Sequence, residues 1–263
     1  MNSFAYHRPQ TVGDAVALLK GHDGAKALAG GQSLIPVLKL DLAHPSDLVS
    51  LAALSALREI KDGDPLVIGA LATHDAVAGS AYVGKRIPAL AALAGGIGDA
   101  QVRNRGTLGG SLAHADPAAD YPAAVLALGA TIETDRRKIA ADDFFTGLFQ
   151  TALGQDELVT AVHFPVPEKA AYAKHASPAS KYALVGVFVA KTASGVRVAV
   201  TGAGGRAFRV PALESALAAS FSPDVVTAGS VSASDLRSDG EASADYRAHL
   251  VTVMAKRAVQ ACR

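Results

Sequence analysis

The residues of this 263-residue chain best suited to chemistry lie in two short glycine-containing stretches. The longer reads Gly-Thr-Leu-Gly-Gly-Ser-Leu-Ala-His-Ala-Asp-Pro-Ala-Ala-Asp, from Gly106 to Asp120. Its glycines at 106, 109 and 110 permit a turn with φ > 0 and a close approach to a bulky ligand, and Thr107 and Ser111 add hydroxyls. Asp116 before Pro117 reads as the N-cap of a helix over 118–128, which puts Asp120 in the first turn, within reach of a ligand hydroxyl. The shorter stretch is Ala29-Gly30-Gly31-Gln32-Ser33-Leu34, which follows an apolar run over 25–28. Neither is a Walker loop, because no Gly-Lys-Ser/Thr follows. Singly, each reads as an ordinary tight turn; together they suit a clasp on one pyrophosphate, held by backbone N–H donors from two sides.

Other motifs carry less. Gly202-Ala-Gly204-Gly-Arg-Ala207 matches a dinucleotide fingerprint, but Val210-Pro211 interrupts the helix it would have to open, so it reads as a glycine-rich surface turn. His114-x-Asp116 lacks a third ligand at matching spacing, His163 and His175 stand singly, and no metal site is assigned. Gly31-Gln-Ser33 is followed by Leu34-Ile35, so there is no nucleophile elbow. His74 reads as a surface residue at a helix start, and Arg103 and Arg105 as solvent-facing. Cys262 is the sole cysteine, and one thiol can neither form an intrachain disulfide nor hold an iron–sulfur cluster.

The elements that must position these residues follow from periodicity and punctuation. Thr11-Val-Gly-Asp opens a helix that ends at Gly21, and strands are expected over 26–29 and near 47–51. Two strands over 57–60 and 66–68 bracket a tight turn, Thr73 caps a helix through Val77, and an apolar helix covers 87–94. Asp99 to Arg105 reads as a lead into the long glycine stretch. Strands follow over 130–134 and 158–164, with Pro165 and Pro167 marking a boundary. Beyond it, strands over 182–192 and 196–201 form a hairpin, and helices cover 211–219, 222–229 and 242–261. Lys and Arg total 25 against 24 Asp and Glu, with no block of like charge, so neither nucleic acid nor an anionic membrane is a favoured partner. No stretch is long and apolar enough to cross a bilayer, and residues 1–10 lack a signal-peptide layout; a cytoplasmic protein is expected.

Residues 29–34 and 107–120 strongly resemble the two FAD-binding signatures of the medium, flavoprotein subunit of molybdenum hydroxylases, the family of carbon monoxide dehydrogenase and xanthine dehydrogenase. The resemblance runs from Phe4 to the last helix. It implies an α+β chain: a two-subdomain FAD-binding fold of the vanillyl-alcohol-oxidase (PCMH) type over 1–168, with subdomains of about 1–54 and 55–168, and a C-terminal α+β domain over 169–263 with an antiparallel sheet and helices. Carried over by position, Ala29, Gly30, Gly31, Gln32, Ser33 and Leu34, with Thr107, Leu108, Gly109, Gly110 and Ser111, would hold the pyrophosphate and its neighbours. Asp120 matches a carboxylate that contacts FAD hydroxyls, Leu158 a position packing on the cofactor, and Lys174 and Tyr182 a Lys and Tyr near the flavin ring. Gln32 stands where relatives often have His or Thr, and Ser111 where the xanthine dehydrogenase branch has Asn, which places the chain nearer the carbon monoxide dehydrogenase branch.

The implied function is electron transfer in a dimer of heterotrimers, a heterohexamer. A large molybdopterin subunit oxidises the substrate, a small subunit carries two [2Fe–2S] clusters, and FAD on this chain passes electrons to an external acceptor. No side chain here then acts as a catalytic residue. Substrate (carbon monoxide, aldehyde, N-heterocycle or purine) and acceptor (quinone, NAD or oxygen) stay open. So do two other readings, a stand-alone FAD oxidoreductase of the same fold and a flavin-less structural subunit, although the intact glycine pairs and Asp120 speak against the last.

Overall fold

A computed structural model describes residues 3–262, which form an α+β protein built on three sheets and a small hairpin. The first sheet is parallel. Strands β1 (Ala5–His7) and β2 (Lys26–Leu28) flank β3 (Asp47–Ser50), which is buried along its whole length. Helix α1 (Val12–Gly21) connects β1 to β2. Its cap is the expected one: the Thr11 hydroxyl accepts from the Asp14 amide at 3.1 Å. From β2 the chain enters the turn at 29–33, and α2 (Leu34–Lys39) begins directly after it.

The second sheet is antiparallel. Strands β4 (Ile60–Lys61) and β5 (Leu66–Gly69) open it, and six helices follow: α3 (His74–Gly79), α4 (Ala81–Arg86), α5 (Pro88–Gly95), α6 (Ala100–Arg105), α7 (Leu108–His114) and α8 (Tyr121–Leu128). The chain returns through β6 (Thr131–Thr134), β7 (Lys138–Ala140), the short α9 (Ala141–Phe144) and the hairpin β8 (Phe145–Gly147) with β9 (Gln150–Thr151). Strand β10 (Val159–Phe164) then inserts between β5 and β6, giving the order β4-β5-β10-β6-β7. Every residue of α8 is buried, as its apolar sequence demands, because no side of this helix is fit to face water.

The third sheet, in sequential order, comprises β11 (Lys169–Ala176), β12 (Ala183–Thr192), β13 (Gly195–Thr201) and β14 (Phe208–Arg209). One face carries α10 (Pro211–Ala219) and α11 (Ala244–Ala261); the other lies against α8. That is why β12 reads as an unbroken apolar run. Val185, Val187 and Val189 enter the core beneath α10 and α11, while Phe188 and Ala190 alternate into the core shared with α8 and the second sheet.

Several expectations need correction. Residues 55–58 form a 3₁₀ turn, so only the end of the 57–60 segment is strand. The lead into the long glycine stretch is itself a helix, α6, with Asp99 capping the Val102 amide at 2.8 Å. Of 222–229 only Pro223–Val225 turns, as a 3₁₀ helix, and β11 was not anticipated. The helix expected over 118–128 starts only at Tyr121. The carbonyls of Pro117, Ala118 and Ala119 are bonded instead to Thr201, Gly202 and Ala183, so tertiary contacts remove them from any helical ladder. Asp116 closes a local turn on the Ala118 amide at 2.8 Å, and Asp120 stands at the N-cap position rather than in the first turn.

Candidate functional site

The two glycine stretches meet. A Cβ on Gly30 would lie 2.0 Å from the Arg105 carbonyl oxygen and 2.9 Å from the Gly106 Cα, so the backbones touch at a spacing that excludes any side chain. Gly31 adopts φ +74°, the left-handed conformation that turns β2 toward α2. Among the described residues no group accepts from the backbone N–H of Gly30, Gly31, Gln32, Ser33 or Leu34, although the turn closes normally through Ile35 N–H to Gly31 O at 3.1 Å. Five successive amides without a protein acceptor form a donor set suited to phosphate oxygens. Ser33 makes no side-chain cap on α2, so its hydroxyl is not spent on that helix.

The second stretch works differently from the expected turn. Gly106, Gly109 and Gly110 do not take positive φ, and the last two lie inside α7. Its amides are already committed: Leu108 donates to Ala72 O, Gly109 to Ala70 O, Gly110 to the Thr107 hydroxyl and Ser111 to Thr107 O. The glycines are needed for packing. A Cβ on Gly109 would come within 2.5 Å of the Ala70 Cβ, and one on Gly106 within 2.5 Å of His74 Nε2. The stretch is thus a rigid wall, pinned by the Thr73–Thr107 bridge, against which the 29–34 turn is set.

A charged cluster stands at the start of α8. Asp120 is 5% exposed and receives the Tyr172 hydroxyl at 2.6 Å and the Lys174 ammonium at 2.9 and 3.1 Å; Lys174 also donates to Gly96 O. Burial pushes the Asp120 carboxyl up, against the pull of Lys174 and Tyr172. Tyr182, 44% exposed and placed just before β12, has its hydroxyl raised by burial and then by the charges of Asp116 and Asp120. Lys174, with its side chain 13% exposed, is therefore the ion-pair partner of buried Asp120.

The register of β11 on β12 builds this cluster. Lys174 lies opposite Gly186 and Tyr172 opposite Phe188, and a Cβ on Gly186 would meet the Tyr172 hydroxyl at 2.2 Å. Only glycine leaves the tyrosine room to reach Asp120. The preceding loop is anchored from below: Thr201 donates to Pro117 O and Ala119 O, and buried Arg247 on α11 donates to Leu184 O and Gly202 O while pairing with Asp239. Gly202 to Gly204 are accordingly buried, so that turn is not the surface feature expected. Sequence reasoning missed Tyr172, Gly186, Thr201 and Arg247; the lone glycine inside an apolar strand was the one available signal.

His74 is buried, not on the surface. Its ring lies 5.4 Å from that of Tyr121, beneath Gly106, and neither His74 Nδ1 nor the Tyr121 hydroxyl has a hydrogen-bond partner among the described residues. Desolvation, helped by the charge of Arg103, lowers the His74 pKa to about 4, so the ring is neutral at pH 7. Of the other predicted residues, Leu158 belongs to the core cluster against which Ala29 of the clasp packs. Leu158 is buried in the core under the parallel sheet, with its amide on Asp135 at 2.8 Å. His114 packs against the ring of Phe149, which is half exposed, while Phe144 and Phe145 fill the core. Arg103 donates to Ile97 O.

Comparison with known proteins gives the family. A family described as the FAD-binding domain in molybdopterin dehydrogenase matches residues 2–167. The nicotine 6-hydroxylase medium subunit of Paenarthrobacter nicotinovorans is 39% identical over 97% of this chain and 95% of its own. The carbon monoxide dehydrogenase medium chain of Afipia carboxidovorans is 36% identical over 98% and 96%. Among solved structures, the reconstituted CO dehydrogenase from Oligotropha carboxidovorans superposes with a TM-score of 0.92 at 34% identity, covering 98% of this chain and 97% of that one.

Proposed function

The chain belongs to the FAD-binding medium subunits of molybdenum hydroxylases, and on that footing we propose that it relays electrons within a complex, from the [2Fe–2S] clusters of a small partner subunit to an external acceptor. The large partner subunit, which carries the molybdopterin, would oxidise the substrate. When bound, FAD supplies the carrier chemistry, accepting electrons singly or in pairs. The single cysteine, half-buried and with its thiol raised to about 11, supports this division of labour, because one thiol cannot supply the four ligands of a cluster.

The observation that carries the reading is the row of unpaired amides at Gly30–Leu34, clamped against α6 and α7 at the Gly30–Arg105 contact. These amides and the Ser33 hydroxyl would hold the pyrophosphate. Thr107 to Ser111 would wall the site, and the Ser111 side chain would add a hydroxyl. Asp120, with Lys174 and Tyr182 beside it, would meet the cofactor's polar groups, while Tyr172 holds the carboxylate in place. Leu158 would support the floor of the site from the parallel-sheet core. Relatives named for nicotine and for carbon monoxide align with this chain over nearly its whole length, which supports reading the substrate in the large subunit. No helix among the described residues is long and apolar enough to cross a membrane, in keeping with a cytoplasmic dimer of heterotrimers.

The test is the visible spectrum of the chain purified with whatever co-purifies. Flavin bands near-stoichiometric with protein, together with two further chains containing iron and molybdenum, are expected. Absence of flavin after addition of FAD would overturn the cofactor assignment, and flavin-dependent turnover by the isolated chain would overturn the subunit role.

A further inference from the structure

We propose that His7, His22 and Asp47 form a binding site for a divalent transition-metal ion, Zn²⁺ being the best match, that ties β1 and the end of α1 to β3. The three are far apart in sequence, and the parallel sheet brings them together. β1 lies alongside β3 with Ala5 opposite Asp47 and His7 opposite Val49, and α1 delivers His22 as its C-terminal cap. Their donor atoms all lie within 4.8 Å of one another. His7 Nε2 is 2.6 Å from Asp47 Oδ1, and His22 Nε2 is 3.9 Å from the same oxygen.

The protonation pattern also suits a metal. His22 Nδ1 sits 3.0 Å from the Leu18 carbonyl, which can only accept, so Nδ1 carries the proton and Nε2 offers a lone pair. A carbonyl on the far nitrogen is the usual outer support of a metal-bound imidazole. Asp47 is 6% exposed, and its Oδ1 faces both imidazoles. The His7 and His22 rings stand 5.3 Å apart and tilted by 38°, so they do not stack face to face.

Tetrahedral Zn²⁺ with bonds of about 2.0–2.1 Å to N and O sets its ligand atoms roughly 3.4 Å apart. The two separations to Asp47 Oδ1, 2.6 and 3.9 Å, bracket that value. Binding would displace the proton between His7 and Asp47 to solvent. The His22 side chain is 42% exposed, which leaves an entry path and a fourth position for water. Two imidazoles and one carboxylate favour Zn²⁺ and its late first-row neighbours over Mg²⁺ or Ca²⁺. The clip would brace the sheet whose β2 strand runs into the Gly30–Ser33 turn.

Calorimetric titration of the chelator-treated full chain with Zn²⁺ tests this. One saturable site per chain and a rise in Tm are expected, with Mg²⁺ producing neither. His22→Ala, at a half-exposed helix end, should keep the fold by circular dichroism yet weaken Zn²⁺ at least tenfold and abolish the Tm shift. His249→Ala, on α11, should change nothing. Asp47→Asn should match His22→Ala, provided that it folds. No saturable binding by the wild type, or wild-type affinity in His22→Ala, would overturn the site.

Discussion

Gly30→Ala is the sharpest probe of the clasp. The added Cβ would sit 2.0 Å from the Arg105 carbonyl oxygen and 2.7 Å from its carbon, both backbone atoms that no rotamer change can move. Ordinary contact begins near 3.4 Å, so the two backbones must part by more than 1 Å. Overpacking of this kind costs about 1–3 kcal/mol. The FAD-free chain relieves the strain by opening the turn, and binding must impose it again. FAD affinity should therefore fall by about 5- to 150-fold, the same energies expressed as dissociation constants. The assay is titration of the FAD-free chain, followed by flavin fluorescence, with thermal unfolding in parallel. Gly84→Ala is the control: it lies in α4 with nothing within 4 Å of the new Cβ, and it should leave affinity unchanged while stabilising the helix by about 0.5–1 kcal/mol. Wild-type FAD affinity in Gly30→Ala would refute the assignment of this contact to the cofactor site.

Three further outcomes follow from the same coordinates. Lys174→Met leaves a buried carboxylate without its ammonium and should cost about 3–5 kcal/mol, against about 1–3 kcal/mol for Tyr172→Phe, as read from urea midpoints; equal losses would mean that the ion pair is not what holds Asp120. His74 has its pKa lowered from 6.5 to about 4, so between those values the unfolded chain binds more protons than the folded one, and stability falls as pH drops through that window by at most about 3 kcal/mol. His74→Leu should remove that part of the pH dependence; parallel stability curves for wild type and variant would count against it. Glu157, lowered to about 2 chiefly by its hydrogen bond from Arg137, contributes stability that is present above pH about 4.5 and is lost as pH falls toward 2, so Glu157→Gln should flatten the acid limb of the unfolding profile.

Where the controlling interactions are local, the sequence was legible. Thr11 and Thr73 cap their helices because a hydroxyl three residues before an amide needs nothing from the rest of the fold. Strands β5, β10 and β13 follow from their alternation and apolar runs, and the two glycine signatures marked the family. The limits were equally physical. Alternation in residues 169–176 is masked by alanines and by a lysine whose charge is neutralised by a residue 54 positions away. The late start of α8 depends on Thr201, Gly202 and Ala183 claiming the carbonyls of 117–119.

By itself, then, the sequence determined the family, the α+β class and the glycines where one backbone must come close to another, since glycine content and helix punctuation are written locally. Tertiary structure decided which amides stay free and which are spent. It gave the 29–34 turn its unpaired donors while consuming those of α7 on Ala70, Ala72 and Thr107. It also buried Asp120 against Lys174, hid His74 under Gly106 and brought His7, His22 and Asp47 into one cluster. Each of these outcomes depends on partners supplied by distant segments. Hydrogen-bond satisfaction and desolvation are properties of surroundings, and only the folded chain has surroundings.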